Sequence, residues 1–371
     1  MTTRHHTTTE HPSSQPLRLA VGFALTASLA LGGCAHTESG ATVQPVMASS
    51  ASASAVEPTS ATPTPKPTPT GPSKVVDQGP LVLTPVTKVN NDRPNKKLVK
   101  PTCALPGITI GPTAMSPAGK PTNTAWPADR QLKPGTNHAP IAQGYAYPAK
   151  QVFAWMNHKA PQPKKKIAFL TFDDGPNGVT TPQVLRILRE GKVPATFFVV
   201  ARQIGEHNAQ LVQQQVAEGH SIAIHSYGHH YRYLYPGGVG SPTNVSCDLD
   251  WALAAVRSAV GPDFQTGAFR YPGGHQSWKR MGPSDAMLAK RGMSYIDWNS
   301  MNGDADASVP HGSTRDMITN VQRTARAHGA DKDKVLVVLM HDFHPNPLTV
   351  DSLPTIIKNL RKQGYSFGVI S

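Results

Sequence analysis

KIAFLTFDDGP, residues 166–176, is a short apolar run that stops abruptly at a turn. Ile167 to Phe172 are strand formers, and the run follows a cluster of lysines, so it reads as a buried strand ending at Asp-Asp-Gly-Pro. Asp173 and Asp174 then stand side by side at the carboxyl end of that strand. Adjacent carboxylates repel. A metal on one, with a proton or an arginine near the other, is the usual relief. Taken alone, Asp-Asp-Gly-Pro is equally well a plain turn.

Toward the C-terminus the pattern becomes regular. Strand-like runs read at 166–171, 195–200, 221–225, 267–271, 293–298, 334–340 and 366–370, with helical stretches near 181–191, 205–218, 245–259, 284–291, 313–327 and 352–363. Alternation of this kind predicts an α/β fold with about seven parallel strands, either a barrel one unit short or an open doubly wound sheet. No GxGxxG follows the first strand, which argues against a dinucleotide fold.

Polar residues collect where the strands end. His225 closes the third strand and His229 follows four residues on. Arg270 closes the fourth before Pro-Gly-Gly, Asp304 follows the fifth after a loop, and His341 closes the sixth. In a barrel these ends share one face, where active sites sit. Two histidines four apart in a turn can reach one ion. Asp174 completes a His₂Asp set with open positions for water, the pattern of a catalytic metal site. The bland alternative is surface or core histidines, of which the chain has 16 in all, His230 among them.

Toward the N-terminus the chain changes character. Leu19–Leu31 is an apolar run of 13 residues after a basic start, too short for a mature membrane span, and it reads as an export signal. Its ending, Leu31-Gly32-Gly33-Cys34, resembles a bacterial lipobox, with Cys34 as the lipidated first residue; the alternative is a plain secretory signal. Residues 35–100 are rich in Ala, Ser, Thr and Pro and read as a disordered, semi-rigid linker. Residues 101–163 read as an N-terminal lead-in to the domain at 164–371. The net charge is +13, with 14 basic against 6 acidic side chains in residues 1–163 and 22 against 17 afterwards. A basic N-terminal half suits an anionic membrane or wall polymer. No recognition helix or aromatic–basic interleaving points to nucleic acid.

Together, TFDDGP (171–176), HSYGH (225–229), RYPGG (270–274), the DWN…GD stretch (297–304) and LMHD (339–342) resemble the five ordered motifs of the NodB-type polysaccharide deacetylases, carbohydrate esterase family four. The resemblance covers about residues 164–371. It implies a distorted (β/α) barrel and one divalent ion on Asp174, His225 and His229, zinc by donor type, with cobalt, manganese or nickel as alternatives. It further implies Asp173 as general base, His341 as general acid, the Tyr271 N–H as oxyanion donor, Arg270 as the partner of Asp173 and Asp304 as the partner of His341. The sequence departs from the family at His230, where proline is common, and at Ala305, where an aromatic residue commonly lines the acetyl pocket. Trp298 or Leu339 is expected to line that pocket instead.

The resulting expectation is an exported, lipid-anchored or secreted, metal-dependent N-deacetylase of cell-wall polysaccharide, with peptidoglycan amino sugars as the substrate. Its rivals are the same chemistry on chitin oligomers, an exopolysaccharide or acetylxylan, and a catalytically silent wall-binding protein. A metallopeptidase is disfavoured because HExxH is missing. In an exported chain, Cys103 and Cys247 either pair or stay as buried thiols.

Overall fold

The computed structural model describes residues 101–105, 126–205 and 208–371. The expected export signal, Cys34 and the linker lie outside the described residues. The elements run in the order β1 (Ala146–Tyr147), α1 (Ala149–Met156), β2 (Ile167–Asp173), α2 (Thr180–Gly191), β3 (Thr196–Val200), α3 (Ala209–Ala217), β4 (Ser221–Ser226), α4 (Tyr231–Leu234), α5 (Pro242–Val260), β5 (Ala268–Phe269), α6 (Gly282–Lys290), β6 (Ser294–Tyr295), β7 (Ser300–Met301), α7 (Thr314–Ala327), β8 (Val335–His341), α8 (Pro347–Lys362), β9 (Ser366–Phe367) and β10 (Val369–Ile370). Helix starts follow local chemistry. The Ser241 and Ser313 hydroxyls cap α5 and α7, and the Asn346 side chain caps α8, where Pro347 takes the first turn.

The main sheet has the order β6-β5-β4-β3-β2-β8-β7, and its pairings are parallel. The two edge strands, β6 and β7, are consecutive in the chain. Only Ile296–Asn299 separates them, a span of at most about 18 Å, so the sheet must curl until its edges nearly meet. The fold is thus the expected distorted barrel of seven parallel strands, left open along one seam. Two strand assignments differ from the sequence expectation. The run 366–370 is broken into β9, which pairs with the start of β2, and β10, which pairs with β1. The seventh strand of the barrel is instead Ser300–Met301, which has no apolar run to announce it.

Period-2 alternation decides what faces inward. Ile167 and Phe169 of β2, Phe198 of β3, Ala223 of β4 and Val335 and Val337 of β8 form the interior cluster, joined by Val152 and Trp155 of α1. Their neighbours Ala168, Leu170, Phe172, Phe197, Ile222, Ile224, Leu336 and Val338 pack outward against the helices. Each buried phenylalanine contributes about 1.5–3 kcal/mol. Continuing the inward parity to the strand ends puts Asp173, His225 and His341 on the interior face. The β2–β8 register sets Asp173 directly opposite His341.

The described parts of 101–163 pack onto this unit. Cys103 and Cys247 form a disulfide, and the Trp251 indole donates to the Cys103 carbonyl. The buried Asn137 side chain donates to the carbonyls of Ile222 and Ile370.

Candidate active site

At the carboxyl ends of the strands lies a cleft of about 330 Å³ whose lining includes Asp173, Asp174, His225, His229, Asp304 and His341. β2 delivers the two aspartates. Asp173 ends the strand, and Asp174 leaves it with φ of 71°, a left-handed conformation. β4 delivers His225, and the turn after it brings His229 round with φ of 52°. The buried Asp248 carboxylate of α5 accepts from the N–H groups of Tyr227 (2.7 Å) and Gly228 (3.0 Å), so the turn is held from beneath. Burial pushes that carboxyl up to about 6.

The His225 and His229 Nε2 atoms lie 3.6 and 3.4 Å from Asp174 Oδ1. One ligand atom from each of the three residues falls within 4.8 Å of the others. The three fit a divalent ion. Asp174 Oδ1 is buried with no hydrogen-bond partner, an expensive state for a carboxylate unless a cation occupies the space it faces. Burial pushes the His225 imidazole down to about 3, so it is neutral and free to ligate. Its Nδ1 sits 2.8 Å from the Arg270 carbonyl, which makes Nδ1 the donor and leaves Nε2 as the ligand atom. His230 is exposed and stands outside the group.

Arg270 is fully buried and its side chain makes four hydrogen bonds. It donates to Asp173 Oδ1 (2.6 Å), to the Thr171 hydroxyl (2.9 Å), and to the carbonyls of Ile296 (2.8 Å) and Asp297 (3.1 Å). Its guanidinium stacks over Phe198 at 4.0 Å. Burial raises the Asp173 carboxyl above its usual range, against the pull of Arg270, so this carboxylate is a better base than an exposed one.

On the other wall, His341 Nδ1 meets Asp304 Oδ1 at 2.7 Å, and Asp304 Oδ2 accepts from the His341 N–H, the Thr349 hydroxyl and the Asn346 amide. Burial alone would push the imidazole down; the charge and hydrogen bond of Asp304 overcome it and hold His341 at about 9. The same contacts outweigh burial at Asp304 and keep its carboxyl below the usual range. His341 is therefore a proton donor at neutral pH. Tyr271 is anchored through its side chain, whose hydroxyl donates to Asp285 at 3.0 Å. Trp298 and Leu339 both line the cleft, with Met301 and Ala305 beside them.

Six of the eight candidate residues drawn from the sequence line this cleft and Arg270 bonds one of them, Asp173; Tyr271 is buried outside the lining. Sequence reasoning missed the supports. Asp248, Asn346 and Thr349 come from or just before helices whose apolar patterns gave no sign of a polar task.

An arrangement of a buried base, a charged acid and a candidate metal triad suits hydrolysis of an acyl bond. The comparisons with known proteins agree. The sequence model of the family described as polysaccharide deacetylase matches residues 160–282. A peptidoglycan-N-acetylglucosamine deacetylase of Bacillus cereus is 30% identical over 225 residues, 57% of this chain and 73% of that protein. A bifunctional xylanase/deacetylase of Pseudobutyrivibrio xylanivorans is 32% identical over 207 residues, 56% of this chain but only 30% of that longer protein. Among solved structures, a Streptococcus mutans CE4 esterase is 37% identical, with a TM-score of 0.62 over 66% of this chain and 99% of that one. The chain belongs to the NodB-type polysaccharide deacetylases, carbohydrate esterase family four, a family of hydrolases.

Proposed function

We propose that this protein is an exported, metal-dependent N-deacetylase of cell-wall polysaccharide, acting on peptidoglycan amino sugars and anchored by a lipid on Cys34. The observation that carries the reaction is the meeting of three units in one cleft: the Asp174–His225–His229 triad, the Asp173–Arg270 pair and the His341–Asp304 pair. The Bacillus cereus relative, by its name, supports peptidoglycan as the substrate. The signal-like Leu19–Cys34 stretch supports export and anchoring. Zinc suits the His₂Asp donor set, with cobalt, manganese or nickel as other candidates.

Asp174, His225 and His229 would hold a divalent cation, which when bound would supply Lewis acidity toward a water and the acetyl carbonyl. Asp173, aimed by Arg270, accepts the proton of the attacking water. The Tyr271 N–H donates to the oxygen on which charge develops. His341, charged by Asp304, gives its proton to the departing sugar nitrogen as the C–N bond breaks. One amide and one water thus become one free amine and one acetate. Trp298 and Leu339 shelter the acetyl methyl.

The test is acetate release from purified peptidoglycan by the full chain, with added zinc, with chelator, and with Asp173→Asn. Release that needs both metal and Asp173 supports the reading. Release from chitin oligomers or acetylxylan alone replaces the substrate, and no release from any acetylated polymer with metal bound replaces the activity with binding.

A further inference from the structure

Beside the catalytic cleft the surface continues into a shallow groove for which the proposed chemistry has no use. Tyr231, Tyr235 and Trp278 form its walls, the turn at Pro236–Gly238 its end, and Arg232 its edge. Tyr231 belongs to both depressions. Its ring lies 5.1 Å from that of His229 on one side and 5.2 Å from Trp278 on the other. Tyr235 stacks on Trp278 at 4.1 Å and 19°. The aromatic surface therefore runs unbroken from the metal triad outward.

This surface is built and costs apolar exposure. Tyr231 is 43% exposed, one of two large apolar side chains so exposed among the described residues. Trp278 is fixed by its indole N–H, which donates to the Pro272 carbonyl at 2.8 Å. Lys279 is tied to the groove's turn through its backbone, donating to Gly238 and accepting from Gly240. A rigid aromatic face with one wet side suits a sugar ring, whose C–H face packs on the rings while its hydroxyls stay in water.

Charge narrows the sugar. Arg232 at the edge and Lys279 and Arg280 after Trp278 are all exposed, and none takes part in an ion pair among the described residues. A neutral glycan would use the rings and leave three cations idle. A planar guanidinium beside a stacking platform matches a ring that carries a carboxylate.

We propose that this groove is a second subsite, which takes the sugar next to the reacting one in a glycan whose repeating unit carries a carboxylate. The ring packs on Tyr231 and Trp278, and the carboxylate pairs with Arg232. The proposal rests on the deacetylase reading for what occupies the neighbouring cleft.

The test is calorimetric binding to the full chain carrying Asp173→Asn. The probes are a tetrasaccharide of alternating N-acetylglucosamine and N-acetylmuramic acid, the same molecule with its carboxyls reduced to alcohols, and chitotetraose. The intact probe binds about three- to fivefold more tightly than the reduced one, the scale of an exposed ion pair. Arg232→Gln removes that gap and Arg232→Lys restores part of it. Trp278→Ala weakens all three probes about tenfold. Because Trp278 also braces its own loop, the exposed Arg232 carries the decision. Equal binding of intact and reduced probes, or a gap that survives Arg232→Gln, overturns the subsite even if the wild-type chain releases acetate from all three. Absence of acetate release from every probe, with the carboxylate gap intact, overturns the deacetylase reading and leaves the subsite standing.

Discussion

Asp304 grips His341 twice, at the ring through Nδ1 and at the backbone through N–H, so orientation and charge of the imidazole come from one carboxylate. Asp304→Asn keeps the shape and removes the charge. The His341 pKa is then expected to fall from about 9 toward or below the ordinary imidazole value. Activity is expected to drop about 10²-fold at neutral pH, the scale of a general acid's contribution. A pH–rate profile checks it: the alkaline fall in rate moves to lower pH in the variant.

The same pair links stability to pH. The folded pKa of His341 lies above the unfolded value, so the charged imidazole stabilises the fold fully below about pH 6.5, and that contribution is lost as pH rises through about 9. Urea titrations between pH 6 and 10 are expected to show the decline, and Asp304→Asn to flatten it.

Arg270→Met is expected to cost about 3–5 kcal/mol, because it leaves Asp173 as an uncompensated buried charge and two carbonyls without a donor. Arg270→Lys recovers only part of this, since an ammonium cannot serve four separately placed acceptors through a planar fork. Chemical denaturation reads both.

Asp173→Asn and Asp174→Asn differ by one residue and should fail differently. Asp174→Asn removes a charged ligand from the triad, so metal content after dialysis is expected to fall. Asp173→Asn keeps the triad and the metal but loses activity. In the wild type, a divalent ion at 100 times its Kd raises stability by about 2.7 kcal/mol, visible as a higher Tm that chelator reverses.

Cys103→Ser opens a loop with a sequence separation of 144 residues. Loss of a disulfide closing so long a loop is expected to cost about 2–5 kcal/mol. The catalytic residues keep their places, because their one link to the disulfide is Asp248, which follows Cys247 and is held in position by α5 itself. The variant should therefore unfold at lower denaturant but turn over normally at 25 °C.

The strands that carry the site were legible because each is an unbroken apolar run: IAFLTF, TFFVV, SIAIH and VLVVLM all lie within observed strands. The edges were not. β7 is two residues, held by the Ser300 hydroxyl donating to Val321 and by the Thr324 hydroxyl bonding the Met301 backbone. Those contacts are tertiary and leave no periodicity. Gly368 breaks the last strand where Tyr147 and Phe169 approach too closely for a Cβ. α1 could have been read, since Val152, Trp155 and Met156 recur at helical spacing, but prolines on both sides masked it. In the site, residues at strand ends stood out. Those reaching in from helices, such as Asp248 and Thr349, each make sense only with a partner far away in sequence.

The seam between β6 and β7 gives Arg270 a further meaning. The guanidinium that aims Asp173 also laces the connecting segment by the carbonyls of Ile296 and Asp297, and Trp298 of the same segment lines the cleft. One side chain thus ties the wall of the barrel to the Asp173 carboxylate. On the proposed reading, parting the seam would take the guanidinium from Asp173 and Trp298 from the cleft together, so that turnover would report a shut barrel.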